Sequence, residues 1–309
     1  MSDHGRMHAP GTDVASPLAT DPADPTGPPD SPRGDTYYFP RVTSVRARRS
    51  AISDKQQETW DRLWPELGRQ ARDADGPAEL LDTWAWFGRR APVVLEIGCG
   101  TGTSTLAMAQ AEPDIDVVAV EVYRRGLAQL LGAIDRTSRP DSAHTDSAHP
   151  DSQPGPVSTP VTNIRLIRGD GVEVLTHMFG PNSLTGVRVF FPDPWPKARH
   201  HKRRLLQPAT VALIADRLRP GGVLHAATDH ADYAAHIAEV GDAEPRLRRL
   251  GGADPDVDLE ADLRADLEAD IRANTGLLPM SVVRPVTKYE GKAQRAGSSV
   301  AELLWERTP

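Results

Sequence analysis

Apolar and polar positions follow two rhythms along this chain, and the switches between them mark its elements. Between Ile52 and Leu67 the side chains Trp60, Leu63, Trp64 and Leu67 recur at helical spacing, with Ser53 or Asp54 placed to cap the first turn. The pattern predicts a second amphipathic helix over about Ala78–Phe87. Beyond it, short apolar runs alternate with helical stretches. Strands are expected at Val93–Ile97, Val117–Val122, Ile164–Arg168, Val187–Phe191 and Val223–Thr228. Helices are expected at Ser104–Gln110, Arg124–Ile134, Val172–Met178, Leu205–Leu218 and Tyr233–Val240. Such alternation implies an α/β fold: a mostly parallel sheet in the Rossmann-like manner, with helices on both faces.

Three stretches have no such rhythm. Residues 1–36 are rich in Pro, Asp, Gly, Ser and Thr, the composition of a disordered acidic tail; a single domain is expected over 37–309. Residues 137–160 contain a period-five repeat, Asp141-Ser-Ala-His then Asp146-Ser-Ala-His then Asp151-Ser-Gln-Pro. Its histidines hint at a metal tract, but the repeat has no apolar face and reads as a solvated insertion, so no metal site is expected. Residues 254–274, with Leu-Glu-Ala-Asp repeats, read as an acidic surface helix.

Composition narrows the function classes. Hydrophobic residues make up 39% of the 309, in keeping with long polar segments around one core. Cys99 is the single cysteine, which excludes an intrachain disulfide or a cysteine-cluster zinc site and fits a reducing cytoplasm. No apolar run approaches the ~20 residues of a membrane span, and the N-terminus lacks an apolar export signal. The net charge of -7 argues against nucleic acid, unless acidic segments mask a local basic patch.

The chemistry is concentrated at the carboxyl ends of the expected strands. Gly98, Gly100 and Gly102 follow the first strand of the alternating run, in Glu96-Ile-Gly-Cys-Gly-Thr-Gly102. They allow a tight turn and close approach of a ligand to the backbone. A dinucleotide fingerprint needs its third glycine at 103, where this chain has Thr103, so NAD is disfavoured. Glu121 ends the next strand, where a carboxylate can accept both hydroxyls of a ribose. Asp170 ends the third, where it can accept from an adenine amino group. Ligands of open α/β sheets bind at this edge. After the fourth strand comes Phe190-Phe-Pro-Asp-Pro-Trp-Pro-Lys197, whose three prolines stiffen the backbone and aim Asp193 and Trp195 into the cleft. A flat ring beside a carboxylate suits a purine. The basic run Lys197-Ala-Arg-His-His-Lys-Arg-Arg204 follows at once, a positive patch suited to phosphates.

The glycine loop with its preceding Glu96 resembles the first motif of class I S-adenosylmethionine-dependent methyltransferases. The proline-rich loop and basic run resemble the signature of the bacterial tRNA (guanine(46)-N7)-methyltransferases. Further matches are Thr228-Asp229, the run Arg284-Pro-Val-Thr-Lys-Tyr-Glu290, and Arg295, Gly297 and Leu303. Ser44–Arg49, Gln56–Gln57 and Trp60–Pro65 are similar to the family's N-terminal basic segment and first helix. The resemblance spans about Tyr37 to Arg307 apart from the two polar insertions. It implies a class I methyltransferase fold, S-adenosyl-L-methionine as cofactor and tRNA as partner. It assigns cofactor contacts to Glu96, Gly98, Gly100, Gly102, Glu121, Asp170 and Asp193, with Asp193 also at the catalytic position. Substrate contacts fall on Lys197, Asp229, Thr287, Lys288, Tyr289 and Glu290, and RNA contacts on Arg199, His200, His201, Lys202, Arg203 and Arg204. Tyr289 stands where the family usually has Phe, the family's Gly-Arg is altered near Arg48–Ser50, and the tail and insertions are extra. Two other readings remain open. The Pro192-Asp-Pro-Trp195 loop is a loose relative of the Asn/Asp-Pro-Pro-aromatic loop of N6-adenine and protein-amide methyltransferases, and a non-catalytic RNA-binding subunit would keep the same fold.

Overall fold

The structure is a computed structural model, and it describes residues 51–138, 159–250, 278–285 and 300–309. The expectations for the N-terminal tail, for most of both polar insertions and for Thr287, Lys288, Tyr289 and Glu290 lie outside the described residues.

Helix α1 (Asp54–Leu67) opens on a capping box: the Ser53 hydroxyl accepts from the Gln56 amide, and the Gln56 side chain accepts from the Ser53 amide. A short strand that the apolar pattern did not announce follows, β1 (Gly68–Gln70). Helix α2 is only Thr83–Phe87, five residues shorter than the expected Ala78–Phe87. The reason is tertiary. The Ala78 and Leu81 amides donate to the Ala71 and Met178 carbonyls at 2.9 and 3.0 Å, which holds 78–82 out of helix until Asp82 caps the turn.

The alternating run then forms as expected, with small shifts of boundary. It comprises β2 (Val93–Ile97), α3 (Thr103–Ala111), β3 (Asp116–Glu121), α4 (Arg124–Thr137), β4 (Ile164–Arg168), α5 (Gly171–His177) and β5 (Leu184–Phe190). After β5 come α6 (Pro208–Arg217), β6 (Leu218–Thr228) and α7 (Ala231–Asp242). Helix α6 begins three residues later than expected. Pro208 fixes its first turn and forces Gln207 into extended backbone, with φ -111° and ψ 162°. Beyond β6 the sheet continues with β8 (Ala301–Arg307) and, at its edge, β7 (Leu247–Leu250).

Among the described residues the eight strands lie in the order β1-β4-β3-β2-β5-β6-β8-β7. All neighbours are parallel except β6 with β8 and β7 with β8. Helices cover both faces. On one, Leu127, Leu130, Leu131 and Ile134 of α4 pack with Trp60 and Leu67 of α1 over Val117, Ala119 and Leu166. On the other, Val211, Ile214, Tyr233 and Ile237 of α6 and α7 pack over Leu95, Val187, Val189 and Leu224. The chain runs outward from β2 through β3 to β4, then crosses back to place β5 against the other side of β2. That reversal opens a crevice at the carboxyl ends of β2 and β5, where α/β sheets hold their ligands.

Candidate active site

The crevice is a cleft of about 730 Å³ whose wall includes Gly98, Glu121, Asp170, Phe190, Asp193 and Trp195. Its floor is the glycine turn. The Gly98 and Cys99 amides both donate to the Val120 carbonyl, at 2.9 and 3.0 Å, which ties the loop to the end of β3. Gly98, Gly100 and Gly102 have φ of 79°, 56° and 76°, a region that only glycine enters cheaply. A Cβ at Gly98 or Gly100 would meet nothing within 4 Å, so both leave open room on the cleft side, whereas one at Gly102 would strike Leu130 at 2.5 Å. The third glycine therefore serves packing of α3 on α4. Gly126 does the same from α4, where a Cβ would lie 2.2 Å from the Gly100 carbonyl oxygen. No sequence motif flagged Gly126.

Three carboxylates behave differently around this floor. Glu121 is 8% exposed, and its oxygens accept from the Gly100 amide at 3.0 Å and the Tyr123 amide at 2.9 Å. Burial pushes its carboxyl above the usual range, against these backbone donors, and the charge of Asp193 pushes the same way. Asp170 caps α5: one oxygen accepts from the Val172 and Glu173 amides at 2.8 and 3.2 Å, leaving the other for a ligand. Asp193 is exposed and joins the cleft from the proline-rich stretch Phe190–Lys197, the reaction loop.

Glu96 is not in the cleft wall. It lies beneath it, 2% exposed, with burial raising its carboxyl and the Arg188 guanidinium pulling it back. Arg188 is fully buried beside it in register on β5 and ion-pairs with Glu112 at 2.6 Å. Cys99 is also buried, its thiol pushed well up by burial and by Glu121 and Glu96, so it is an inert packing group.

The reaction loop carries backbone strain. Phe191 and Trp195 have φ of 50° and 46°, a conformation costly for large side chains. Two ties hold it: the Phe191 amide donates to the Ala227 carbonyl at 2.7 Å, and the Arg204 guanidinium donates to the Pro194 carbonyl at 2.9 Å. The basic run forms a 3-10 turn, Ala198–Arg203, which divides its side chains. Lys197, Arg199, Lys202 and Arg203 are exposed, and Arg203 lies over the Trp195 ring at 5.1 Å. His200 meets the same ring edge-on at 5.7 Å; lost hydration, then the charges of Arg203 and Arg199, hold its imidazole below its usual pKa. Arg204 departs from the expectation of an RNA contact. It is 3% exposed, ion-paired to Asp232 and packed on Tyr233 at 4.9 Å, so it braces the loop from within.

The structure thus brings together Gly98, Glu121, Asp170, Asp193, Lys202 and Arg203 around one cleft. Lys197, Arg199 and Asp229 are exposed outside its wall. Tyr123, Phe190, Leu205 and Gln207 also line it, and sequence reasoning did not single them out; Tyr123 and Phe190 lie at strand ends, whereas Leu205 and Gln207 lie between the basic turn and α6. The residues fit S-adenosylmethionine: the two open glycines leave space for an extended ligand, Glu121 offers two buried oxygens for a ribose, and Asp170 keeps one oxygen for an amino group. Among the described residues no group of three or more His, Cys, Asp or Glu is placed to hold a metal, and no helix is long and apolar enough to cross a membrane.

Comparison with known proteins finds relatives over the whole length of the chain. Residues 90–273 match the family model Methyltransf_4, described as "Putative methyltransferase". A tRNA (guanine-N(7)-)-methyltransferase of Mycolicibacterium gilvum is 67% identical over 309 residues, covering 100% of both chains. One from Mycolicibacterium vanbaalenii is 65% identical, covering 100% of this chain and 99% of its own. Among solved structures, the 16S rRNA methyltransferase KamB aligns with 77% of this chain and 99% of its own, at 16% identity and a TM-score of 0.44.

Proposed function

Because the chain belongs to the tRNA (guanine-N(7)-)-methyltransferase family, it methylates guanine N7 in tRNA from S-adenosylmethionine, and we propose that the target is guanine 46 in the variable loop. The observation that carries the site assignment is the convergence of Glu121, Asp170 and Asp193 on one cleft with exposed cations at its mouth. The setting we assign is the cytoplasm.

When bound, S-adenosylmethionine supplies an electrophilic methyl group on a sulfonium. Guanine N7 carries an in-plane lone pair, so no proton has to leave before it attacks, and no side chain need act as an obligatory base. What the protein contributes is placement, and good alignment can lower such a barrier by about 7–11 kcal/mol. In this reading Glu121 holds a ribose and Asp170 an adenine amino group. Asp193 accepts from the guanine N1 and N2 protons and stabilises the positive charge that grows on the purine. The target base sits in folded RNA and swings out to reach the cleft. Lys197 and Asp229, with Thr287, Lys288, Tyr289 and Glu290, are assigned to the substrate, and Arg199, His200, His201, Lys202 and Arg203 to the RNA backbone.

The test is methyl transfer from labelled donor to unmodified tRNA, DNA and protein, followed by mapping of the modified base through its alkali-labile N7-methylguanosine. Label at guanine 46 is expected. Label on adenine or on protein would support the two enzyme alternatives, and label on another guanine would leave N7 chemistry standing but move the target. In the same assay Asp193→Asn should lower single-turnover rate about 10²- to 10³-fold, the usual loss when one electrostatic contact to the transition state goes. A near-wild-type rate would remove Asp193 from the chemistry.

A further inference from the structure

The reaction loop is strained at Phe191 and Trp195, and something must hold it. From the outer side Arg204 does so through Pro194. On the inner side the structure shows a second brace, built from parts of the chain that no motif joined. Arg284 is 8% exposed and its Nε donates to a Glu302 oxygen at 2.9 Å. Its guanidinium carbon lies 4.9 Å from the Phe191 ring centroid and 5.8 Å from that of Phe190, within the reach of a cation–aromatic contact. Phe190 is fixed from another direction by His225, edge-on at 4.8 Å, and His225 Nε2 lies 3.9 Å from the same Glu302 carboxylate. Glu302 is on β8, opposite Ala227 of β6, and the Ala227 carbonyl receives the Phe191 amide. Backbone and side chains thus close one ring around the two phenylalanines that precede Asp193.

We propose that Arg284 is a positioning residue for methyl transfer, acting with Glu302 to hold Phe190 and Phe191 so that Asp193 meets the guanine. This rests on the function proposed above. A planar guanidinium can make both contacts at once, because its edge donates to a carboxylate while its face lies on a ring, which an ammonium cannot reproduce. Arg284 is buried and Glu302 partly so, which stiffens the brace, since the buried guanidinium cannot be left unpaired without cost. Arg284 also stands just ahead of Thr287–Glu290 in the sequence.

The experiment uses the full-length protein, three single variants, Arg284→Met, Arg284→Lys and Glu302→Gln, and the Arg284→Met, Glu302→Gln double variant. Two quantities are read: single-turnover methylation of unmodified tRNA, and amide hydrogen exchange of residues 190–197 in protein alone. Arg284→Met is expected to slow turnover about 100-fold, the scale of a misplacement near 1 Å, with cofactor and tRNA affinity within a few-fold of wild type. Glu302→Gln should repeat much of that loss, and combining it with Arg284→Met should add little, because both break one interaction. Arg284→Lys should recover only a minor part. Exchange at 190–197 should quicken in each variant while β2 and β3 stay protected. If Arg284→Met fails to fold, Glu302→Gln and Arg284→Lys carry the same test. Unchanged turnover with only a lower melting temperature would overturn the proposal, as would a loss that lies wholly in tRNA affinity. The exchange readout needs no substrate, so a failure of the tRNA assignment would leave the brace visible, and unchanged exchange would refute the brace alone.

Discussion

At Glu121 one carboxylate meets two demands that pull in opposite directions. Its buried position raises the pKa above the ordinary 4.5, so the charged form is penalised in the folded protein. The sign for stability follows: the penalty is absent below the unfolded value and is incurred as pH climbs through the folded one, so the ionised group costs apo stability at neutral pH. The sign for binding is the reverse, because ribose hydroxyls donate and need an acceptor with free lone pairs. Cofactor affinity should therefore fall as pH drops through the raised pKa, starting above 4.5, and calorimetry across that window would show it. Glu121→Ala should weaken the cofactor about 10- to 100-fold, from loss of hydrogen bonds to a charged acceptor. Unchanged affinity would sink the ribose assignment. Arg204 shows the limit of reading side chains one by one. A run of basic residues has no apolar phase to say which member turns inward, and the 3-10 turn decides it. Replacing Arg204 by Ala should lower the melting temperature more than replacing Arg199, since the first braces the Pro194 carbonyl and the second is exposed.

Among the elements, what was legible in the sequence was local. The α1 cap could be read because Ser53 and Gln56 satisfy each other within one turn, and β2 through β5 because buried strands are mostly apolar over short runs. Strand β1 could not be read: Gly-Arg-Gln has no strand pattern, and its existence depends on backbone pairing with β4. Strand β8 lies between β6 and the edge strand β7, and its partners lie far away in the chain. The close fit of α4 on the cofactor loop was equally hidden, and it yields a paired test. Gly126 and Gly132 lie in the same helix, where alanine is favoured over glycine by roughly 1 kcal/mol. At Gly132 only the far end of the Arg136 side chain comes near, at 3.7 Å, so Gly132→Ala should raise the melting temperature slightly. At Gly126 the new methyl would meet the Gly100 carbonyl oxygen at 2.2 Å, and backbone must yield. There sterics should overrule propensity, with Gly126→Ala losing stability and more than tenfold in cofactor affinity. Equal behaviour of the two alanines would mean that α4 does not set the loop.

The whole molecule has to bind a polyanion while carrying a net charge of -7. Its sign of charge is uneven along the chain: the acidic repeats lie in 254–270, whereas Lys202 and Arg203 stand at the cleft and Lys197 and Arg199 are exposed on the same basic run. Attraction to tRNA should then be short-ranged and local, since charges farther than about 8 Å are largely screened at physiological salt. Each cation that meets a phosphate releases condensed counterions, so the logarithm of affinity falls linearly with that of salt, by roughly one unit of slope per contact. Arg199→Glu with Lys202→Glu removes two exposed cations without touching the buried Arg204 brace or Arg203 on Trp195. The double variant should bind tRNA more weakly and show a salt slope shallower by about two, with cofactor affinity unchanged. Filter binding of unmodified tRNA across a salt series would measure both lines. Parallel lines would place the RNA on another face, however weak the variant's binding. A shallower line with unchanged cofactor binding would make the rim of this cleft the electrostatic contact, despite the acidity of the chain as a whole.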